Sequence, residues 1–181
     1  MSRPLAPGAP GFLSRTILDT RARRAESHRM AANADPLIQK LDQVVTDVLA
    51  YFAGPGRTNA ARVDRWQARD VLQHFLYFHD ATAWGLESAA QGGPPWPLPA
   101  DADTINEVCR RLREHESLDD LIAQLRLSHA RLIGAARRSP DLDRPCFRRT
   151  NGETVSGRQR LEVLAHHWSE HVRELQAAAS R

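Results

Sequence analysis

His167-Trp168-Ser169-Glu170-His171 sets two imidazoles at i and i+4 within a stretch of helical apolar periodicity. At about 100° per residue both rings leave the same helix face one turn apart, close enough to share a metal ion. The zincin motif H-E-x-x-H is not met, because Trp168 stands where the general-base Glu belongs, so a metalloprotease is disfavoured. In helical phase both histidines flank the Leu164/Trp168/Leu175 stripe, beside the core rather than opposite it. His74 lies at the edge of an earlier stripe, near Phe78. Flank positions face neighbouring helices, where side chains converge while one coordination position stays open to solvent. His74, His167 and His171 would then form a three-nitrogen set of the kind catalytic zinc sites use. The competing reading is three unrelated polar edge residues.

The remaining histidines carry less. His79 falls near the centre of its apolar face, which suits a hydrogen-bonded core residue, although it is the main rival to His74 as a ligand. His166 has Glu162 and Glu170 at i−4 and i+4, the pattern of a solvated face. His28, His115 and His129 have no partner at an informative spacing. Cys109 and Cys146 are the only cysteines; they read as buried, inert thiols. Two cysteines exclude a disulfide framework and suit a reducing, cytoplasmic setting. Arg69 or Arg148 would suit an anionic group, with a plain surface charge as the simpler role. Ligation needs neutral imidazoles, so metal affinity is expected to fall as the pH drops through about 6.5.

The elements that must position these residues are helices. Asp35-Pro36 is an N-cap followed by Pro at the first helical position, and apolar residues recur at helical spacing from Leu37 to Phe52. Gly54-Pro55-Gly56 ends that helix. A second helix is expected from about Arg65 to Ala90, with Val71, Leu72, Phe75, Leu76, His79, Ala83 and Leu86 on one face. A Pro- and Gly-rich loop around Trp96 follows. A third helical region starts near Asp103 or Thr104 and breaks at Ser117, where Ser117 to Asp120 resembles a capping box. Ser139-Pro140 closes it, Asn151-Gly152 suits a small hairpin, and Ser156 caps the last helix. Nothing else reads as a strand. The expected fold is all-α: a four-helix bundle with long connections over residues 35–181, preceded by a flexible basic arm over 1–34.

Charge and length exclude several function classes. The chain has 181 residues and a formal charge of +3, with a pI near 9.4. The excess is local: residues 1–34 hold six arginines against Asp19 and Glu26, and the remainder is close to neutral. A neutral body offers no basic groove for a phosphate backbone, so nucleic acid is not an expected partner. No apolar run approaches the ~20 residues of a membrane span. The 1–34 stretch lacks the apolar segment of a secretory signal, and Met30 is a second candidate start. The expected partner is a small-molecule substrate, with a second copy of the chain as a candidate for a homodimer.

Three motifs in order resemble the DinB/YfiT-like superfamily. Trp66-Gln67-Ala68-Arg69-Asp70-Val71-Leu72-Gln73-His74-Phe75 looks like its second-helix signature, and His167-x-x-x-His171 like its fourth-helix pair. Asp103-Thr104-Ile105-Asn106-Glu107 is similar to the third-helix opening of the maleylpyruvate-isomerase and ClbS/DfsB-like branches. The resemblance spans about residues 36–177. It implies a four-helix bundle holding a divalent metal, zinc or nickel in type, with His74, His167 and His171 as ligands. It also implies a thiol S-transferase or isomerase using mycothiol, bacillithiol or glutathione on a small electrophile. ClbS-like members need no such triad, so the complete His set argues against that branch. Gln67 departs from the pattern, which has a Ser/Thr cap. Two other readings use the same residues: a non-catalytic small-molecule binding or resistance protein, and a hydrolase with metal-bound hydroxide.

Overall fold

The computed structural model describes residues 35–58, 60, 62–63, 66–99 and 101–180. The expected arm over 1–34 lies outside them. Five helices account for most of the described chain: α1 (Pro36–Ala53), α2 (Ala68–Ala90), α3 (Ala102–Leu112), α4 (Leu118–Arg138) and α5 (Gly157–Ala179). The fold is thus mostly helical, and the third helical region breaks ahead of Ser117, as its capping box implies, into α3 and α4. Among the described residues no helix is long and apolar enough to cross a membrane.

Local chemistry sets each helix start. Asp35 accepts from the Leu37 amide at 2.9 Å, ahead of Pro36. Ser117 and Asp120 cap each other across the first turn of α4, as Ser156 and Gln159 do on α5. The second helix departs from expectation, opening at Ala68 rather than near Arg65. Trp66–Gln67 (β2) is extended and pairs antiparallel with Arg62–Val63 (β1), which keeps those residues out of the helix. The Asp70 carboxylate accepts from the Gln67 amide at 2.9 Å and satisfies one orphan N–H there.

A second departure is the small sheet, of which only the Asn151-Gly152 hairpin was legible. Trp96–Pro97 (β3) runs parallel to Pro145–Arg148 (β4), which pairs antiparallel with Thr154–Ser156 (β5). Gly152 turns the hairpin with φ +87°, a conformation that favours glycine. Strands of two to four residues containing Pro give no alternation to read. The sheet is pinned to the helices by Phe147, fully buried against Gly85 of α2, where any Cβ would collide with its ring.

The apolar stripes supply the core. α1 packs against α4 and α5, and α2 against α3, α4 and α5. Trp168, Phe52, Phe75 and Phe147 are its largest fully buried side chains. Each contributes on the order of 1.5–3 kcal/mol by leaving water. Phe75 of α2 stacks on Trp168 of α5 with the rings 11° from parallel. Trp168 Nε1 also donates to His79 Nε2 at 2.8 Å, in the buried seam between the same helices. This pair fixes the rotation and register of α5 against α2. Trp168 lies between His167 and His171 in sequence, so what holds the tryptophan sets both imidazoles.

Candidate metal centre

The three histidines singled out by spacing come together. Their ligand nitrogens all lie within 4.8 Å of one another, a group that could hold a metal ion. His74 enters from α2, with its ring centroid 5.0 Å from that of His167 and 5.7 Å from that of His171. His167 and His171, one turn apart on α5, are 4.5 Å apart by the same measure. Nitrogens sharing one tetrahedral zinc-type ion stand about 3.4 Å apart, so modest side-chain rotation closes the set.

Hydrogen bonding selects which nitrogens face inward. His74 Nδ1 lies 2.5 Å from Asn106 Oδ1 on α3. An amide oxygen only accepts, so His74 Nδ1 carries the proton and Nε2 keeps its lone pair. His74 Nε2 is buried and has no hydrogen-bond partner. His79 Nδ1 and His129 Nδ1 are buried without a partner as well, but only His74 Nε2 belongs to a group of converging ligand nitrogens, where a ligated cation would satisfy it. On the other flank His171 Nδ1 meets the Glu174 carboxylate at 3.2 Å. Outer partners of this kind fix ring orientation and tautomer in metal sites.

Burial keeps His74 and His167 neutral. His74 is 7% exposed, and its pKa is pushed down to about 3, chiefly by burial, against the opposing Asn106 bond and with help from the neighbouring imidazoles. His167 is lowered to about 4, again by burial first and then by His171. The expected proton competition near pH 6.5 therefore does not hold for these two ligands: their lone pairs stay available well below it. Phe75 and Phe78 wall the site, with ring centroids 4.9 and 4.7 Å from that of His74. His171 is the more open side, with its side chain 22% exposed.

The other candidates sit elsewhere. His79 is fully buried and spends its lone pair on Trp168, so it is the core residue expected. His129 does have a partner: its Nε2 lies 2.9 Å from the Asp42 carboxylate across the α1–α4 seam. Linear spacing gives no sign of a contact between helices so far apart in the chain. His166 pairs with Glu170 on an exposed face. Cys109 and Cys146 are buried, and burial raises both thiols. Arg69 is no free surface charge, since it donates to the carbonyls of Arg113, Glu114 and Glu116 and ties down the end of α3. Arg148 is exposed on β4.

Asn106, Glu174 and Arg160 were missed as site residues. Asn106 lay within a quoted motif without a role. Arg160 had a signal: Arg160, Leu164, His167 and His171 follow at i, i+4, i+7 and i+11, one face of α5. No family model matches the chain, and neither the curated proteins nor the solved structures contain a significant match.

Proposed function

We propose that the protein is a divalent-metal-dependent enzyme of the DinB/YfiT-like type, in which α1, α2, α4 and α5 act as a four-helix bundle. One observation carries this reading: three imidazoles converge from two helices, and the buried His74 Nε2 has no other partner. Bound there, a zinc- or nickel-type ion would lower the pKa of a low-molecular-weight thiol so that it attacks as the thiolate. The chain's own residues do the rest. His74 and His167 hold their lone pairs ready because burial keeps them unprotonated. Asn106 and Glu174 keep the outer nitrogens engaged. Phe75 and Phe78 exclude water from one side, and the side at His171 stays open to a small electrophile.

An external nucleophile fits the thiols present. Cys109 and Cys146 are buried and raised, and neither belongs to the histidine group. The test pairs elemental analysis with turnover of 1-chloro-2,4-dinitrobenzene, offered with mycothiol, bacillithiol or glutathione. Expected is one ion per chain and thiol-dependent conjugation that survives Cys109→Ala and Cys146→Ala but vanishes in His167→Ala. Turnover without any thiol would favour a hydrolase. Tight binding without turnover would favour a binding or resistance protein.

A further inference from the structure

A cavity of about 410 Å³ opens between the loop after β3, the β4–β5 hairpin and the first turns of α5. That volume is within the range of small-molecule sites. Its walls are apolar, from Phe78, Leu98, Val155 and Val163, and its polar groups include Arg160, Asn151 and Arg149, the last already paired with Glu153. Phe78 is a shared wall, since its ring lies 4.7 Å from that of His74 and 6.5 Å from that of His167. The cavity and the histidine group are neighbouring compartments.

Arg160 is the unusual group in it. Its Nε donates to Thr82 Oγ1 at 3.3 Å, and its Cζ sits 5.1 Å from the Phe78 ring centroid. Thr82 is fully buried and itself donates to the Phe78 carbonyl at 2.6 Å, so the arginine is held at a fixed angle. Among the described residues no carboxylate pairs with Arg160, whereas Arg131 has Glu87, Arg158 has Asp35 and Asp143, and Arg149 has Glu153. Burial lowers even this guanidinium, to about 10. Arg160 is half-buried; a cation partly withdrawn from water without a counter-ion carries a cost that an arriving anion relieves.

We infer that this cavity binds the carboxylate of a small organic acid at Arg160, with the acid's apolar body lying along Phe78 toward the three histidines. A planar guanidinium fork matches one carboxylate bidentately, and apolar walls suit a ligand whose charge is confined to one end. Seven residues of helix separate Arg160 from His167, a rise of about 10 Å. The acid group is therefore an anchor, remote from the reacting atoms. The inference deepens the metal-enzyme reading and rests on it for the chemistry, but not for the binding itself.

The experiment follows the Arg160 Nε–H NMR signal in the full chain during titration with benzoate, benzamide and phenyl phosphate, in EDTA-treated and zinc-loaded protein. Expected is a saturable shift with benzoate, with or without zinc, and none with benzamide. Arg160→Met should weaken benzoate at least tenfold by saturation-transfer measurement, and Arg131→Gln, outside the cavity, less than threefold. The wild-type signal needs no variant, so a poorly folded Arg160→Met leaves the test intact. Equal response to benzamide, no shift at Arg160, or unchanged affinity in a folded Arg160→Met overturns the inference. Tighter phenyl phosphate binding overturns the carboxylate assignment. A benzoate response seen only with zinc overturns the anchor while leaving the metal centre standing; a metal-independent response in a protein that takes up no zinc does the reverse.

Discussion

Two histidine clusters share helix α2, with His74 and His79 little more than one turn apart and both buried. At His79 the lone pair is spent inside the protein, on the Trp168 indole, and the neighbouring His129 holds Asp42 through Nε2; the Nδ1 atoms of both rings are left without a partner but belong to no group of converging ligands. At His74 the outer nitrogen is spent on Asn106, and the inner one faces two more imidazoles with nothing to bind. Residue type and burial are the same in both places. The direction of the unspent lone pair separates a structural histidine from a candidate ligand. The first cluster also serves the second, because the His79–Trp168 bond adds to the Phe75–Trp168 stack that holds α5 in register.

The most severe test of this contrast removes one ring from each cluster. His171→Ala should take bound zinc from one ion per chain to near none, since two nitrogens make a poor site. His79→Ala should keep the full complement. Elemental analysis after gel filtration reads both, and full metal in His171→Ala, or loss confined to His79→Ala, would reverse the two roles.

A smaller effect is expected one layer out. Asn106→Ala leaves every ligand in place but frees the His74 ring to rotate and change tautomer. Loss of such an outer partner costs roughly 10–100-fold in metal affinity. Competition with a chromophoric chelator measures it. Glu174→Gln should cost less, because Glu174 is half exposed and meets His171 at a longer distance.

Within the structural cluster, Trp168→Phe keeps most of the apolar volume and deletes the donor to His79. It leaves a buried acceptor unsatisfied, which costs about 1–3 kcal/mol. For a chain of this size that is a fall of roughly 2–12 °C in Tm, read by calorimetry. Zinc stoichiometry should be unchanged; its loss would mean that the indole bond alone holds α5 in register.

Much of this contrast could be read from the chain and some could not. His167 and His171 were legible because one helix imposes their relation. His74 could be placed on a flank by phase, and His79 at the centre of its stripe. Helix caps at Asp35, Ser117 and Ser156 were legible because they are local chemistry. Contacts between elements left no such trace. The His129–Asp42 pair spans 87 residues, and the parallel pairing of Trp96 with Phe147 joins two Pro-flanked fragments. Arg160 was legible in phase with His167, but its lack of a counter-ion is a property of the packed structure. Ala68 opens α2 because a two-residue strand pair takes Trp66 and Gln67, a non-local competitor that periodicity does not register.

The smallest expected effect is in pH, and it tests whether both clusters are as dry as their burial implies. Three ordinary imidazoles with pKa near 6.5 would cost a metal site up to a thousandfold per pH unit below that value. Here His74 and His167 are lowered to about 3 and 4, so neither competes with the metal above pH 5. Between pH 6 and 5 the affinity should then fall far less than it would for a site of three ordinary imidazoles. The metal-free protein should behave differently over the same interval. Its unfolded chain protonates these histidines below about pH 6.5 while the folded state does not, and His79 and His129, also lowered by burial, act in the same direction. More protons on the unfolded state means that stability falls as the pH drops from 6.5 toward 4. Chelator competition and apo-protein melting at pH 7, 6 and 5 give both slopes. A metal slope of two or three protons would show water reaching His74 and His167 in solution; a flat apo-protein melting curve would say the same of His79 and His129, and the distinction between the clusters would then rest on geometry alone.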